Sequence, residues 1–250
     1  MSTPRCTVAL TSPSSQPINR VPSGRMLPAV CGCVSRRKLA GLFIVRCMVD
    51  RVVLFIDAQN VYRSARDAFP PPPGEPQHVH GQVNPLAVGG LICERPPVGA
   101  ERALSEVRVY TGRPDATRQP KAYAAHMRQC AAWESVGITV VPRALRYSKD
   151  WPTERPREKG IDVQLAIDFV SAAVDGRFDV GIIFSTDTDL RPALEFVSQR
   201  FPALPRAESA AWKAPGANRA LMLRSPRPTW CHYLDRDDYL TVHDSTDYNR

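Results

Sequence analysis

The chain has 250 residues, of which 43% are hydrophobic, enough to bury the core of one main domain. Its formal net charge of +8 is concentrated at the start, because seven of the 33 basic residues and none of the 25 acidic residues lie in residues 1–47. The rest of the chain is near neutral, so its overall charge identifies no partner.

The first 47 residues are rich in Ser, Pro and Arg and have no sustained periodicity, which predicts a disordered leader. Their apolar stretch, residues 39–45, is too short to span a membrane, and no small-residue cleavage site follows it. A buried strand is predicted directly after Met48. We therefore expect Met48 to be the native start, with residues 1–47 as an upstream extension and residues 48–250 as the domain.

The seven cysteines match neither a disulfide framework nor a zinc site. Four of them lie in the leader, and Cys93, Cys130 and Cys231 are widely spaced without a CxxC pair. Reduced thiols fit a cytoplasmic protein, and nothing in the sequence indicates a membrane partner.

From residue 51 onward, predicted strands alternate with predicted helices. Apolar runs predict strands at residues 52–57, 104–110, 138–141, 180–184 and 207–212, and helical patterns predict helices at residues 60–69, 84–94, 117–135, 160–174 and 190–201. The segment after residue 212 receives no element and is predicted to end as an acidic tail. This alternation predicts an α/β fold, a three-layer α/β/α sandwich with a mostly parallel central sheet.

Carboxylates follow two of the buried strands. Asp57 and Asp187 stand where the strands at residues 52–57 and 180–184 end, and Asp162 stands at the predicted start of a helix. Parallel strands end at the same edge of a sheet, where open α/β sheets bind ligands. Carboxylates that converge there repel one another unless they are protonated or bind a hard divalent cation. The alternative is that Asp57 and Asp187 only cap the helices that follow.

Three segments resemble the NYN family, the LabA-like branch of the PIN-domain nucleases. They are FIDAQNVY at residues 55–62, EKGIDVQLAID at residues 158–168 and FSTDTDL at residues 184–190. The resemblance covers about residues 51–242. It implies a PIN-like α/β/α sandwich and a magnesium- or manganese-dependent endoribonuclease that hydrolyses RNA phosphodiester bonds.

The resemblance also implies roles for individual residues. It makes Asp57, Asp162 and Asp187 catalytic and metal-binding, adds Asp189 as a further metal ligand, and makes Asn60, Lys159, Ser185 and Asp168 supporting or substrate-binding residues. Asp168 lies about 120° around a regular helix from Asp162, so the two line one pocket only if the helix starts late or Asp168 serves from the rim. The alternative is that Asp168 is solvated or only accepts from an N–H group.

Other interpretations stay open at this stage. A catalytically weak RNA-binding or regulatory module would keep the same fold. The basic clusters at residues 108–128 and 143–159 fit a phosphodiester backbone, but such runs are also typical of solvated surfaces. A phosphatase of the haloacid-dehalogenase type is disfavoured, because Gln59 stands where that chemistry needs a second Asp. Trp212, Trp230 and Tyr233 leave a homo-oligomer open, although scattered aromatic residues usually belong to a core.

Overall fold

The computed structural model describes residues 49–71, 73–97, 101–213, 220–223 and 228–250. The leader predicted at residues 1–47 lies outside these residues. Within them, six strands form one sheet: Asp50–Asp57 (β1), Arg102–Arg113 (β2), Thr139–Ala144 (β3), Val180–Phe184 (β4), Arg206–Trp212 (β5) and Cys231–Leu234 (β6). Their order across the sheet is β3-β2-β1-β4-β5-β6, and every pair is parallel.

Helices cover both faces of this sheet. They are Ala58–Ala68 (α1), Pro85–Cys93 (α2), Pro120–Ser135 (α3), Ile161–Val174 (α4), Arg191–Arg200 (α5) and Arg236–Val242 (α6). Buried residues of α1, α2, α3 and α6 belong to one hydrophobic cluster, and those of α4 and α5 belong to a second. The predicted α/β/α sandwich is therefore confirmed, and its sheet is parallel throughout.

Strand β1 lies at the centre of the core because both of its faces are covered. Val52, Leu54 and Ile56 pack into the first cluster, whereas Val53 and Phe55 pack into the second. This arrangement explains the uninterrupted apolar run in the sequence, which is typical of a parallel strand buried on both sides. Ile56 pairs with Phe184 of β4, so the two central strands end side by side.

The C-terminal segment differs from the sequence prediction. Instead of an acidic tail, residues 231–242 form β6 and α6, which extend the sheet and cover its first face. The acidic residues have a structural role, since Asp235 and Asp238 form a capping box at the start of α6. Asp238 is also buried and lies 2.6 Å from Arg95 in an ion pair.

The structure shows which of several aromatic and aliphatic side chains are buried and which are exposed, a question that the sequence pattern did not decide. Trp212 is buried in the first cluster, and its Nε1 donates to the carbonyl oxygen of Val61, while Trp230 is exposed. On α4, Ile167 and Val174 point to solvent rather than into the core. None of the helices in the described ranges is both long and apolar enough to cross a membrane.

Candidate active site

The carboxyl ends of β1 and β4 are where the order of the strands reverses. Chain order runs outward from β1 to β2 and β3 on one side, and from β4 to β5 and β6 on the other. In open parallel sheets this reversal leaves a crevice between the two central strand ends. Asp57 is the last residue of β1, and Ser185 to Asp187 follow β4, so the two segments face each other across the crevice.

A chain of hydrogen bonds joins the two strand ends. The Ser185 hydroxyl, which is fully buried, donates to Oδ2 of Asp57 over 3.0 Å and accepts from the Asp187 amide over 3.1 Å. Oδ1 of Asp57 accepts from the backbone N–H of Asn60 and thereby caps α1. Asp187 caps the short 3-10 turn Thr188–Leu190 in the same way. Both aspartates therefore have the capping role that the sequence left open, and the chain brings them together.

Asn60 supports the same crevice from α1. Its Oδ1 accepts from the Thr186 amide over 2.9 Å and from the Thr186 hydroxyl over 3.1 Å. The side chain thus fixes the loop after β4 against the first turn of α1. A carboxylate in this position would accept the same two hydrogen bonds but would add another negative charge beside Asp57.

Asp162 enters the site from α4. Gly160 precedes this helix with φ at 77°, a left-handed conformation that Gly adopts without strain, and Asp162 occupies the first helical turn. Burial raises the pKa of Asp162, and the negative charges of Asp187 and Asp189 raise it further. The four predicted metal ligands therefore lie close enough for their charges to interact, with Asp189 the most exposed.

Burial has a larger effect on Asp57. Its side chain is only 4% exposed, and burial, opposed by the Asn60 amide, raises its pKa from 3.8 to about 6, with smaller contributions from the charges of Asp162 and Asp187. Among the described residues, no ion pair involves Asp57, Asp162, Asp187 or Asp189. The cluster thus carries negative charge without a directly paired cation.

Glu158 is a member of this environment that the sequence analysis did not select. Burial raises its pKa from 4.5 to about 7, and the charges of Asp57 and Asp162 raise it further, while Arg63 opposes them. A Cβ atom on Gly112, near the end of β2, would come within 2.6 Å of Oε1 of Glu158, so a larger residue there would displace this carboxyl group. The sequence signal was its place in the EKGID motif.

Among the described residues, two of the predicted supporting residues form no hydrogen bond or ion pair with the cluster. The Lys159 side chain is exposed to solvent. Asp168 accepts from the Tyr110 hydroxyl and from Nε2 of Gln164, each over 2.9 Å, and lies 3.5 Å from Arg108. Its oxygens are therefore engaged in a network that ties α4 to β2, as the angular offset along the helix indicated.

The donor set fits a hard divalent cation. Its exposed and half-buried donors are carboxylate oxygens, which magnesium and manganese prefer to nitrogen or sulfur. Within the described ranges, however, no three Asp, Glu, His or Cys side chains already stand in the arrangement of a metal site. Magnesium tolerates this, because it usually keeps several waters and binds only one or two carboxylates directly. The unpaired negative charge is the observation that favours a cation here.

We expect the metal-free protein to lose stability as the pH rises from 4 to 7. Asp57 and Glu158 keep their protons in the folded state up to pH values near 6 and 7, whereas the same groups in the unfolded chain ionise near 3.8 and 4.5. The folded state then binds more protons than the unfolded state, so the free energy of unfolding falls with pH. For Asp57 the difference corresponds to up to about 3 kcal/mol.

Thermal unfolding in a chelator at pH 5 and pH 8 measures this effect. The Asp57→Asn variant should show a weaker dependence on pH than the wild type, and magnesium should stabilise the wild type more at pH 8 than at pH 5. If stability depends on pH equally in the two proteins, the raised pKa assigned to Asp57 is wrong.

Comparison with known proteins adds one family match. The sequence profile described as NYN domain matches residues 51–200. No curated protein matches the chain. A crystal structure of a protein of unknown function from Vibrio parahaemolyticus is similar to it with 16% sequence identity and a TM-score of 0.40, covering 66% of this chain and 81% of that one. No functional conclusion follows from a structural similarity at that level.

Proposed function

Since the chain belongs to the NYN domain family, a family of PIN-like nucleases, we propose that it is a metal-dependent endoribonuclease. The observation that carries the proposal is the group of carboxylates at the ends of β1 and β4, where Asp57 is buried without a paired cation. A structural cap alone does not explain it, because a neutral Asn caps a helix as well as Asp does.

We assign Asp57, Asp162 and Asp187 as the residues that hold a magnesium or manganese ion, with Asp189 as a further ligand at the exposed edge. The chemistry that a bound divalent cation supplies is polarisation of a phosphoryl oxygen and activation of a water molecule. Ser185 positions Asp57 through a direct hydrogen bond, and Asn60 positions the loop that carries Asp187. Glu158, whose pKa is about 7, is suited to give or take a proton at neutral pH.

Basic residues beside the carboxylates support a polyanionic substrate. The charge of Arg63 acts on Glu158, and the guanidinium of Arg143 lies 3.7 Å from where a Cβ of Gly160 would stand, at the start of α4. Arg143 donates to Oε1 of Gln164 and is otherwise exposed. Both residues lie near carboxylates of the cluster, and they are the basic residues that we expect to contact phosphates of the substrate.

A catalytically weak RNA-binding module is the second candidate. One observation favours it: Asp57 and Asp187 cap helical turns, and in the described parts of the chain the acidic side chains do not already form a chelating group. Such a module would bind RNA through the same basic residues without needing a cation.

Cleavage of labelled RNA by the purified full-length protein separates these candidates. We expect products in magnesium or manganese, none in a chelator, and none with the Asp187→Asn variant. RNA binding that is unaffected by the chelator and yields no products would favour the module. Products that persist in the Asp187→Asn variant would place the active site elsewhere.

The Asn60→Ala variant should reduce cleavage about 10- to 100-fold, the usual cost of losing a residue that orients metal ligands. Its effect should appear as a higher magnesium concentration for half-maximal activity, because the loop that carries Asp187 loses its contact with Asn60. Asn84→Ala is the matched control: the side-chain oxygen of Asn84 caps α2 by accepting from the Leu86 and Ala87 amides and, among the described residues, makes no hydrogen bond to the carboxylates. That variant should lose about 1 kcal/mol of stability and no activity. Equal activity losses in the two variants would contradict the role of Asn60.

A further inference from the structure

A cavity of about 290 Å³ lies beside the carboxylate cluster, on the opposite side of the end of β1. The ends of β1 and β2, one side of α1, one side of α3 and the last residues of the chain surround it. Its volume is at the lower end of the range for small-molecule sites. It therefore has room for one planar ring system rather than for a folded polymer.

The walls of the cavity carry no formal charge from acids or strong bases. Among the described residues that line it, none is Asp, Glu, Lys or Arg. Its aliphatic surface comes from residues such as Ile56 and Val109, and aromatic rings are contributed by Tyr62, Trp133 and Tyr248. Among the described lining residues a phosphate would find no Lys or Arg, and the imidazole of His78 is already bonded to Asp247 over 2.7 Å. A neutral aromatic ring would find apolar and aromatic surface on which to pack.

Polar groups in the walls supply both donors and acceptors. Burial lowers the pKa of His126 to about 4, so its imidazole is neutral at pH 7 and offers one donor and one acceptor. Its Nε2 lies 3.4 Å from the hydroxyl of Thr111. The indole ring of Trp133 lines the cavity, while its Nε1 is buried and has no hydrogen-bond partner among the described residues.

The position of the cavity relates it to the cleavage site. Ile56, Ala58 and Gln59 line the cavity, and Asp57 lies between them with its carboxylate bonded to Ser185 on the other side. Consecutive Cα atoms are about 3.8 Å apart, so a ring in the cavity and a phosphate at the carboxylates would be near neighbours along one strand.

We propose that this cavity binds a nucleobase of the RNA strand next to the bond that is cut, and so gives the enzyme a base preference. The inference rests on the proposed nuclease function. The cavity offers aromatic surface and hydrogen-bonding groups to a base, and the carboxylates beside it would attract a metal and a phosphate. A nucleotide carries a base and a phosphate next to each other in the same way. A free nucleotide carries the same base, and the experiment distinguishes the two sources.

Sequencing the ends of products cut from a random RNA pool tests the preference. The wild type should favour one base, or one base class, about 10-fold or more at a fixed position from the cut. Ala125→Leu places a larger side chain in the wall of the cavity. In this variant the ratio of cleavage at the favoured base to cleavage at the other bases should fall close to one. Ala132→Leu, the same change on the exposed side of α3, should leave it intact. Cleavage without any base preference would overturn the proposal and leave the nuclease assignment standing.

A binding measurement makes the result independent of cleavage. The chain has four Trp residues, so the indole N–H signal of Trp133 can be assigned in a nitrogen–proton NMR spectrum with a Trp133→Phe variant. The probes are uncleavable 2′-O-methyl tetranucleotides of each base, the four nucleoside 5′-monophosphates, and ribose 5-phosphate as a base-free control. A shift caused by a tetranucleotide supports the proposal even if no RNA is cut, in which case only the nuclease assignment fails. The proposal is overturned if only the monophosphates shift the Trp133 signal, or if none of the probes shifts it.

Discussion

The Asp57→Asn variant should lose cleavage activity by about 10³-fold while becoming more stable than the wild type at pH 8 without metal. Activity falls because Asp57 is the most buried of the carboxylates assigned to the metal, and such a cation contributes several kcal/mol to the reaction. Stability rises because Asn can still accept from the Asn60 amide at the start of α1, and the buried negative charge is removed. Initial rates and thermal unfolding in a chelator measure the two effects.

Asp179→Asn is the matched control for that experiment. Asp179 lies just before β4, at the other end of the strand from the carboxylate cluster, and makes a 3.0 Å ion pair with Arg51. Although burial opposes it, the hydrogen bonds and charge of Arg51 lower the pKa of Asp179, the opposite direction from Asp57. The control should therefore lose a little stability and keep full activity. An active Asp57→Asn enzyme, or one destabilised at pH 8, would refute the assignment of Asp57.

The Arg102→Met variant should lose about 3–5 kcal/mol of stability, the usual cost of removing one partner from a buried ion pair. Nη1 and Nη2 of Arg102 donate to Glu208 over 2.8 Å and 2.7 Å, and the two side chains are 1% and 5% exposed. His232 also lies 2.8 Å from Glu208. Burial acts to raise the pKa of Glu208, but the bonds to His232 and Arg102 outweigh it and lower that pKa. Without Arg102, the buried carboxylate loses its principal cation.

Urea unfolding at pH 7 measures this loss against a control on β5, the strand that carries Glu208. Arg206 pairs with Asp50, but its side chain is 42% exposed, so Arg206→Met should cost less than about 1 kcal/mol. Adding Glu208→Gln to the Arg102→Met variant should recover part of the stability, because no buried charge then remains. Similar losses for Arg102→Met and Arg206→Met would show that the burial of the pair has no energetic consequence.

The central elements of the fold were predictable because their burial leaves a pattern in the sequence. The runs that became β1 and β4 are apolar on both faces, and Asn84 and Pro85 mark the start of α2 as a cap and a first-turn proline do. In contrast, β6 has only four residues and is followed by aspartates, so this part of the sequence has the polar composition of an acidic tail. Its stability depends on pairing with β5, which is contact between distant segments and leaves no local signal.

The candidate site was predictable to a similar extent. Strand ends and motif spacing indicated Asp57, Asp162 and Asp187, and helical geometry indicated that Asp168 lies off their face. Glu158 was not selected, because its nearness to Asp57 depends on the space left by Gly112 on another strand. The cavity was also outside the reach of sequence patterns, since α1, α3 and the last residues contribute to it from distant parts of the chain.

The position of β1 between β2 and β4 has a consequence for protein synthesis. The two segments bonded through Ser185 and Asp57 are separated by 128 residues, so the end of β1 lacks its partner on the β4 side until β4 has left the ribosome. Every shorter nascent chain lacks Asp187, one of the residues proposed to hold the metal. Under the proposed function, the chain would therefore be unable to cleave RNA during most of its own translation.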